Sequence, residues 1–223
     1  MKKYHYFLFD LNGTLTEPEE GITKSVQYAL EYFGIHEEDR TNLRRFIGPP
    51  LADSFQDFYG FDREKAMQAR AKYQERYNVK GLYENAVIPG IPELLAGLRE
   101  RGAVIALATS KPEPMARKIL DQYGLTVWFD EIVGSCPDGE RAAKVEVIAE
   151  VFRRMGLGEE NKARALMIGD RRHDVWGAQA FGIDSLGTYV GYADPGELET
   201  AGATWIAASM EEMTQLLWEA AEA

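Results

Sequence analysis

A single cysteine, Cys136, in 223 residues excludes an intrachain disulfide framework and suits a reducing compartment. Cys136 precedes Pro137 in a stretch bounded by Gly134 and Gly139, which reads as an incidental loop thiol rather than a nucleophile. Long apolar runs are also missing: none approaches the roughly 20 residues of a membrane span. The first run, Tyr6–Phe9, follows Lys2 and Lys3 but stops at Asp10, too early for the apolar segment of a secretion signal. A cytoplasmic location is expected. Basic residues are scarce, 25 Lys and Arg against 36 Asp and Glu, for a net charge of −11. Basic clustering is limited to pairs such as Lys2-Lys3, Arg44-Arg45, Arg153-Arg154 and Arg171-Arg172, too small a footprint for a nucleic-acid backbone. There is no internal repeat and no low-complexity tract. At 45% hydrophobic and 27% charged, the composition is globular rather than disordered.

Tyr6–Phe9 breaks off at Asp10-Leu11-Asn12-Gly13-Thr14, the pattern of a buried strand entering a tight loop. Runs of the same kind recur at Ala103–Ala108, ahead of Thr109-Ser110-Lys111, and at Ala165–Ile168, ahead of Gly169-Asp170. Weaker ones occupy Phe129–Val133, Ser185–Val190 and Thr204–Ile206. Helical patterns lie between them. Pro92 suits the first turn of one that runs to Arg101, Pro112 and Pro114 open another that closes near Gly124, Glu140–Met155 ends at Gly156, and Val175–Phe181 ends at Gly182. This alternation predicts an α/β fold, a Rossmann-like parallel sheet with helices on both faces.

Residues 16–85 break the rhythm. They hold helical stretches at Ile22–Phe33, Pro50–Tyr59 and Arg63–Val79 but no convincing strand. So long a crossover reads as an inserted helical cap, leaving 1–15 and 86–223 as the α/β core. Phe46-Ile47-Gly48-Pro49-Pro50 forms a rigid turn inside it. Tyr28, Tyr32, Phe33, Phe55 and Phe58 fall at helix-like spacings and predict a cap core rather than a base-stacking platform. Trp128 and Trp176 likewise read as structural.

In an open α/β sheet, ligands gather at the carboxyl ends of the strands. The polar residues that close the apolar runs are therefore the candidates: Asp10 and Asn12, Thr109 and Ser110, Asp170 and Asp174, with Lys144 near the start of a helix. Carboxylates brought into one cleft repel each other unless a cation joins them. All-oxygen donors select a hard ion, and Mg²⁺ typically takes one or two carboxylates plus substrate phosphate. A lysine and a hydroxyl beside them suit the oxygens of a transferring phosphoryl group. Taken singly, each residue has a plainer reading: Asp10 to Gly13 as a turn, Thr109-Ser110-Lys111-Pro112 as a helix cap, Lys144 as a solvated charge. Their common position behind apolar runs favours the joint reading.

These residues resemble the motifs of the haloacid dehalogenase superfamily of phosphatases. Phe7-Leu8-Phe9-Asp10-Leu11-Asn12-Gly13-Thr14 is similar to its first motif, an apolar strand leading to Asp-x-Asp-Gly-Thr, with one departure. Leu107-Ala108-Thr109-Ser110 matches the second motif, Lys144 the third, and Gly169-Asp170-Arg171-Arg172-His173-Asp174 the fourth, Gly-Asp-x-x-x-Asp. The likeness covers essentially the whole chain and is greatest to phosphoglycolate phosphatase-like enzymes, some of which act on nucleotides. It implies Asp10 as a nucleophile that forms an aspartyl-phosphate. It implies Mg²⁺ held by Asp10, the backbone carbonyl of Asn12 and Asp170, with Asp174 holding a metal-bound water or steadying Lys144. Thr109 and Lys144 would hold phosphoryl oxygens, and Gly13 and Ser110 would lie against the substrate. From the cap, Arg45 and Gly48, with Arg44, would contact the leaving group, although Arg44 and Arg45 read equally well as a solvated face. The implied substrate is a small phosphorylated metabolite such as phosphoglycolate or a nucleotide, with no nucleic-acid or membrane partner and a monomer or homodimer as the working form.

The departure is Asn12, where the family has an acid-base Asp. An amide hydrogen-bonds but exchanges no proton in that role, so turnover is expected to fall by about 10²–10⁴-fold. Two origins fit: a substitution that disables an ordinary phosphatase, or a native residue of a slow hydrolase, a phosphotransferase or a phosphate-ester binder. A receiver-type signalling domain is shorter and uncapped. A dehalogenase would not need Asp170 and Asp174 together.

Overall fold

The computed structural model describes residues 2–136, 141 and 143–221. It divides into two compact units, one formed by the chain up to Thr16 and from Val87 onward, the other by Glu17–Ala86. In chain order the elements begin with β1 (Tyr6–Phe9), β2 (Thr16–Glu17), α1 (Glu19–Tyr32), a 3₁₀ segment over Arg40–Phe46, α2 (Leu51–Tyr59), α3 (Arg63–Arg76) and β3 (Ala86–Val87). They continue with α4 (Ile91–Glu100), β4 (Val104–Pro112), α5 (Glu113–Gln122), β5 (Glu131–Ser135), α6 (Lys144–Met155) and β6 (Ala165–Gly169). The chain closes with α7 (Arg172–Phe181), β7 (Asp184–Thr188), α8 (Glu197–Ala201), β8 (Trp205–Ala207) and α9 (Met210–Ala220).

Six strands form one parallel sheet in the order β5-β4-β1-β6-β7-β8. Such a sheet is buried on both faces, which is why its strands read as continuous apolar runs. Leu8, Ala106, Val133 and Met167 pack with Val147, Val151 and Phe152 of α6 and Ala178 of α7. Phe7 and Phe9 point the other way by strand alternation and are fully buried as well. Each such side chain contributes about 1.5–3 kcal/mol through burial. The first strand lies between β4 and β6, with Phe9 opposite Leu107 on one side and Ile168 on the other. The chain order reverses there, so the carboxyl end of β1 opens onto the crevice where such sheets bind ligands.

The Glu17–Ala86 unit is helical. Ile22, Val26, Ala29 and Leu30 of α1 are buried, and α1 packs on α3 and on the Arg40–Phe46 segment. Phe46, Phe55, Phe58, Tyr59 and Phe61 form a ring cluster with centroids 5.0–6.3 Å apart. Phe55 fulfils the expected core role, but Tyr28 and Tyr32 are 41% and 61% exposed. They lie four residues apart on α1, off the stripe defined by Ile22, Val26 and Ala29, so burying that stripe turns them outward. Trp176 is also half exposed, with its ring against His173. Beyond α3 the chain widens into a π turn over Tyr77–Gly81 instead of continuing the helix to Val79. The expected helix from Glu140 is described only from Lys144. Glu140, with Pro137 and Gly139, lies outside the described residues. The short pair β2-β3, α8 and α9 were not anticipated. Ser209 caps α9 by accepting from the Glu212 N–H at 3.2 Å. No helix among the described residues is long and apolar enough to cross a membrane.

Candidate active site

The site is built on the carboxyl ends of the three middle strands. Asp10 follows β1 directly, and its N–H still donates to the Ile168 carbonyl at 2.9 Å, which fixes the residue at the edge of the ladder. Asp170 follows β6, and Asp174 lies within the first turn of α7. One carboxylate oxygen from each of Asp10, Asp170 and Asp174 falls within 4.8 Å of the others. Lys144, the first residue of α6, reaches into this group from the next helix. Its Nζ donates to Asp10 Oδ1 at 2.8 Å and to the Ala108 carbonyl at 2.9 Å. It also forms an ion pair with Asp174 Oδ1 at 2.7 Å.

Lys144, Asp170 and Asp174 are only 6%, 1% and 3% exposed, so one ammonium, paired with Asp10 and Asp174, serves a cluster of three carboxylates with little water to screen them. Burial, then the charges of Asp174 and Asp10, push the Asp170 carboxyl up to about 8. Burial also pushes Asp174 up to about 6, with Lys144 opposing and Asp10 adding to the rise. For Lys144 burial acts downward, but the two aspartates outweigh it and hold the ammonium above its ordinary value. This excess of buried negative charge, carried on oxygen donors alone, fits a hard divalent cation.

Local backbone explains how the residues converge. Gly13 has φ +83°, and a Cβ there would lie 2.1 Å from Asp170 Oδ2. Only glycine satisfies both the left-handed conformation and the close approach. The space expected to admit a phosphate is thus shared with the Asp170 carboxylate. Thr14 Oγ1 donates to Asp170 Oδ1 at 3.3 Å, and the Tyr192 N–H to Oδ2 at 2.8 Å. The register of β4 against β5 shifts between Ala108 and Pro112, a bulge that takes Thr109 and Ser110 out of the regular ladder. Thr109 is buried at 2% exposure, and its Oγ1 accepts from the Lys111 N–H at 3.2 Å; Ser110 is exposed. Asn12 Oδ1 is buried without a hydrogen-bond partner.

Asp10, Asn12, Gly13, Thr109, Ser110, Lys144, Asp170 and Asp174 all belong to the α/β unit. Arg45 and Gly48 belong to the helical unit. There the Arg45 guanidinium lies 4.5 Å from the Phe58 ring centre and 5.4 Å from that of Tyr59. Arg44, paired with Glu19 at 2.8 Å, lines a cavity of about 570 Å³ together with Arg40, Thr23 and Glu84. Three contributors escaped the sequence reading. At Gly177 a Cβ would meet the Lys144 side chain at 2.6 Å, and at Gly191 it would meet the Gly13 carbonyl at 2.2 Å. Tyr192 supplies the N–H to Asp170. A glycine inside the α7 pattern was a visible signal for Gly177. Nothing local marked Gly191 or Tyr192.

Carboxylates and a lysine that converge where a strand order reverses can hold a hard cation and a phosphoryl group. Comparison with known proteins gives the family. Residues 7–188 match the family model described as haloacid dehalogenase-like hydrolase, and the chain belongs to that family. A 5'-nucleotidase from Pseudomonas aeruginosa is 45% identical over 215 residues, covering 96% of each chain. Tyrosine-protein kinase PtkA from Mycobacterium tuberculosis is 36% identical over 212 residues, 94% of this chain and 71% of that one. The crystal structure of a predicted phosphatase from Clostridium acetobutylicum superposes with a TM-score of 0.90 at 41% identity, covering 98% of this chain and 100% of that one.

Proposed function

We propose that the protein hydrolyses phosphomonoesters of small metabolites through a covalent phosphoryl group on Asp10, with Mg²⁺ as cofactor and with turnover limited by Asn12. The observation that carries this reading is the cluster of Asp10, Asp170 and Asp174 within 4.8 Å, bridged by the Lys144 ammonium. Asp10, the backbone carbonyl of Asn12 and Asp170 would hold the ion, with Asp174 beside them. When bound, Mg²⁺ offsets charge on the phosphoryl oxygens.

Asp10 is the nucleophile because its side chain keeps 15% of its surface exposed, whereas that of Asp174 keeps 4% and Asp170 is buried. Lys144 orients Asp10 by its hydrogen bond and offsets negative charge on the transferring group, and Thr109 and Ser110 hold phosphoryl oxygens. A carboxylate oxygen of Asp10 attacks phosphorus while the ester P–O bond breaks. The departing alkoxide takes a proton from water and leaves hydroxide, because the Asn12 amide has none to give. A second water then attacks the same phosphorus, the bond to Asp10 breaks, and the proton released neutralises that hydroxide. Both steps lack a positioned acid-base group, so both are slow.

The 5'-nucleotidase relative suggests nucleoside monophosphates as the first substrates to assay. A cytoplasmic setting suits the free Cys136 thiol. Asn12 also favours a second reading, transfer of the Asp10-bound phosphoryl group to an acceptor other than water, and the relative named a kinase makes that worth measuring. The deciding experiment is Asn12→Asp, assayed on an aryl phosphate with Mg²⁺. Hydrolysis is expected to rise by about 10²-fold or more. An unchanged rate with phosphate still bound would remove position 12 from proton transfer.

A further inference from the structure

The segment behind β7 lies beyond the residues matched by the family model, which end at 188, yet it touches the acidic cluster at several points. Glu197 opens α8 and is buried, its side chain 4% exposed. Its Oε1 accepts from Arg171 Nε at 2.9 Å and from the Arg172 N–H at 2.8 Å, while Oε2 accepts from the Asp194 N–H at 3.2 Å. Arg171 and Arg172 lie between the two metal-ligand candidates of the fourth motif, and the Arg171 N–H donates to Asp174 Oδ2 at 3.1 Å. Leu198 and Ala201 of α8 pack on Val175 of α7, so the carboxylate is carried by an anchored helix. Its position also suits charge: α7 starts at Arg172, where an N–H has no helical acceptor and the helix end is electropositive. Burial alone would raise the Glu197 carboxyl, but Arg171 and the two backbone donors overcome it and hold it below its ordinary value. It is therefore an anion at neutral pH. Five residues earlier, the Tyr192 N–H holds Asp170 Oδ2.

We propose that Glu197 is a positioning residue for the acidic cluster: by fixing the Arg171-Arg172 turn between Asp170 and Asp174 it sets the geometry in which those carboxylates take a divalent cation. The inference rests on the metal reading of the site. Groups that orient metal ligands without touching the ion typically change affinity by about 10–100-fold when removed.

The test titrates the metal-free full chain with MgCl2, followed by calorimetry and by the rise in Tm. Glu197→Ala is expected to weaken Mg²⁺ binding by about 10–100-fold and to raise the MgCl2 concentration for half-maximal hydrolysis by the same factor, with KM for an aryl phosphate unchanged at saturating Mg²⁺. Glu197→Gln keeps the acceptor oxygen and should fall between the two. A purely structural role would lower the Tm of both variants and leave Mg²⁺ affinity alone; affinity within twofold of the parent overturns the inference. Should Glu197→Ala fail to fold, the same criterion applies to Glu197→Gln. If the parent chain binds no Mg²⁺, the metal reading fails and this inference with it.

Discussion

The two units treat their charged residues in opposite ways. The α/β unit buries Lys144, Asp170 and Asp174 almost completely and leaves the cluster with more negative than positive charge. The helical unit keeps several of its pairs near water: Arg63 with Asp53, Lys72 with Glu75 and Arg44 with Glu19 each retain a side chain half or more exposed, while Arg76 with Glu84 is more enclosed. Surface pairs of this kind contribute about 0–1 kcal/mol. The buried set is costly unless each charge is met, since removing one partner leaves the other stranded in a poorly solvated site. Stability alone would not select the buried arrangement. The α/β unit therefore carries a buried charge cluster that stability does not explain, while the helical unit is held by rings and aliphatic packing.

The widest gap between the units should appear on substitution of Asp10. Asp10→Asn is expected to abolish phosphoryl-protein formation and hydrolysis together; labelled protein recovered from that variant would move the nucleophile elsewhere. Lys144→Met comes next. Removing the ammonium strands the buried Asp174 carboxylate and the partly exposed Asp10 and should cost about 3–5 kcal/mol of metal-free stability, with Mg²⁺ restoring part of it. Denaturant titration with and without MgCl2 reads both effects, and a variant as stable as the parent would contradict the buried-cluster account.

A smaller effect follows from Asp170. Its folded carboxyl lies near 8, above the ordinary value of 3.8, so between those limits the folded protein retains a proton that the unfolded chain releases. Its contribution to metal-free stability is complete below about 4 and is lost as pH rises through about 8. A cation held by Asp170 would displace that proton. The Tm difference with and without Mg²⁺ is therefore expected to widen between about pH 5 and pH 8, and a constant difference would argue against Asp170 as a ligand. The smallest effect belongs to the helical unit. Arg45→Ala loses ring contacts with Phe58 and Tyr59 and should cost about 0.5–1 kcal/mol. A rise in KM accompanying it would add substrate contact to packing as the role of Arg45.

Much of the α/β unit was legible because β1, β6 and β4 up to Ala108 are unbroken apolar runs, which helices of similar composition would not punctuate with Asp-Leu-Asn-Gly or Gly-Asp. The helical insertion was legible from its length and its lack of strands. Tyr28 and Tyr32 were misread because spacing identifies a helix but not which of its faces is covered. Helix α8 was missed because five residues are too few to show a 3.6-residue period.

By itself the sequence determined which side chains could carry the chemistry and roughly where each falls on a strand end. Those are local properties, set by propensity and by the burial of apolar runs. Only the tertiary structure decided how closely Asp10, Asp170, Asp174 and Lys144 approach one another, that Gly13 gives its Cβ space to a carboxylate, and that Glu197 reaches across 26 residues to Arg171. Contacts of that kind arise from how separate elements dock, and no period or composition in a single chain encodes them.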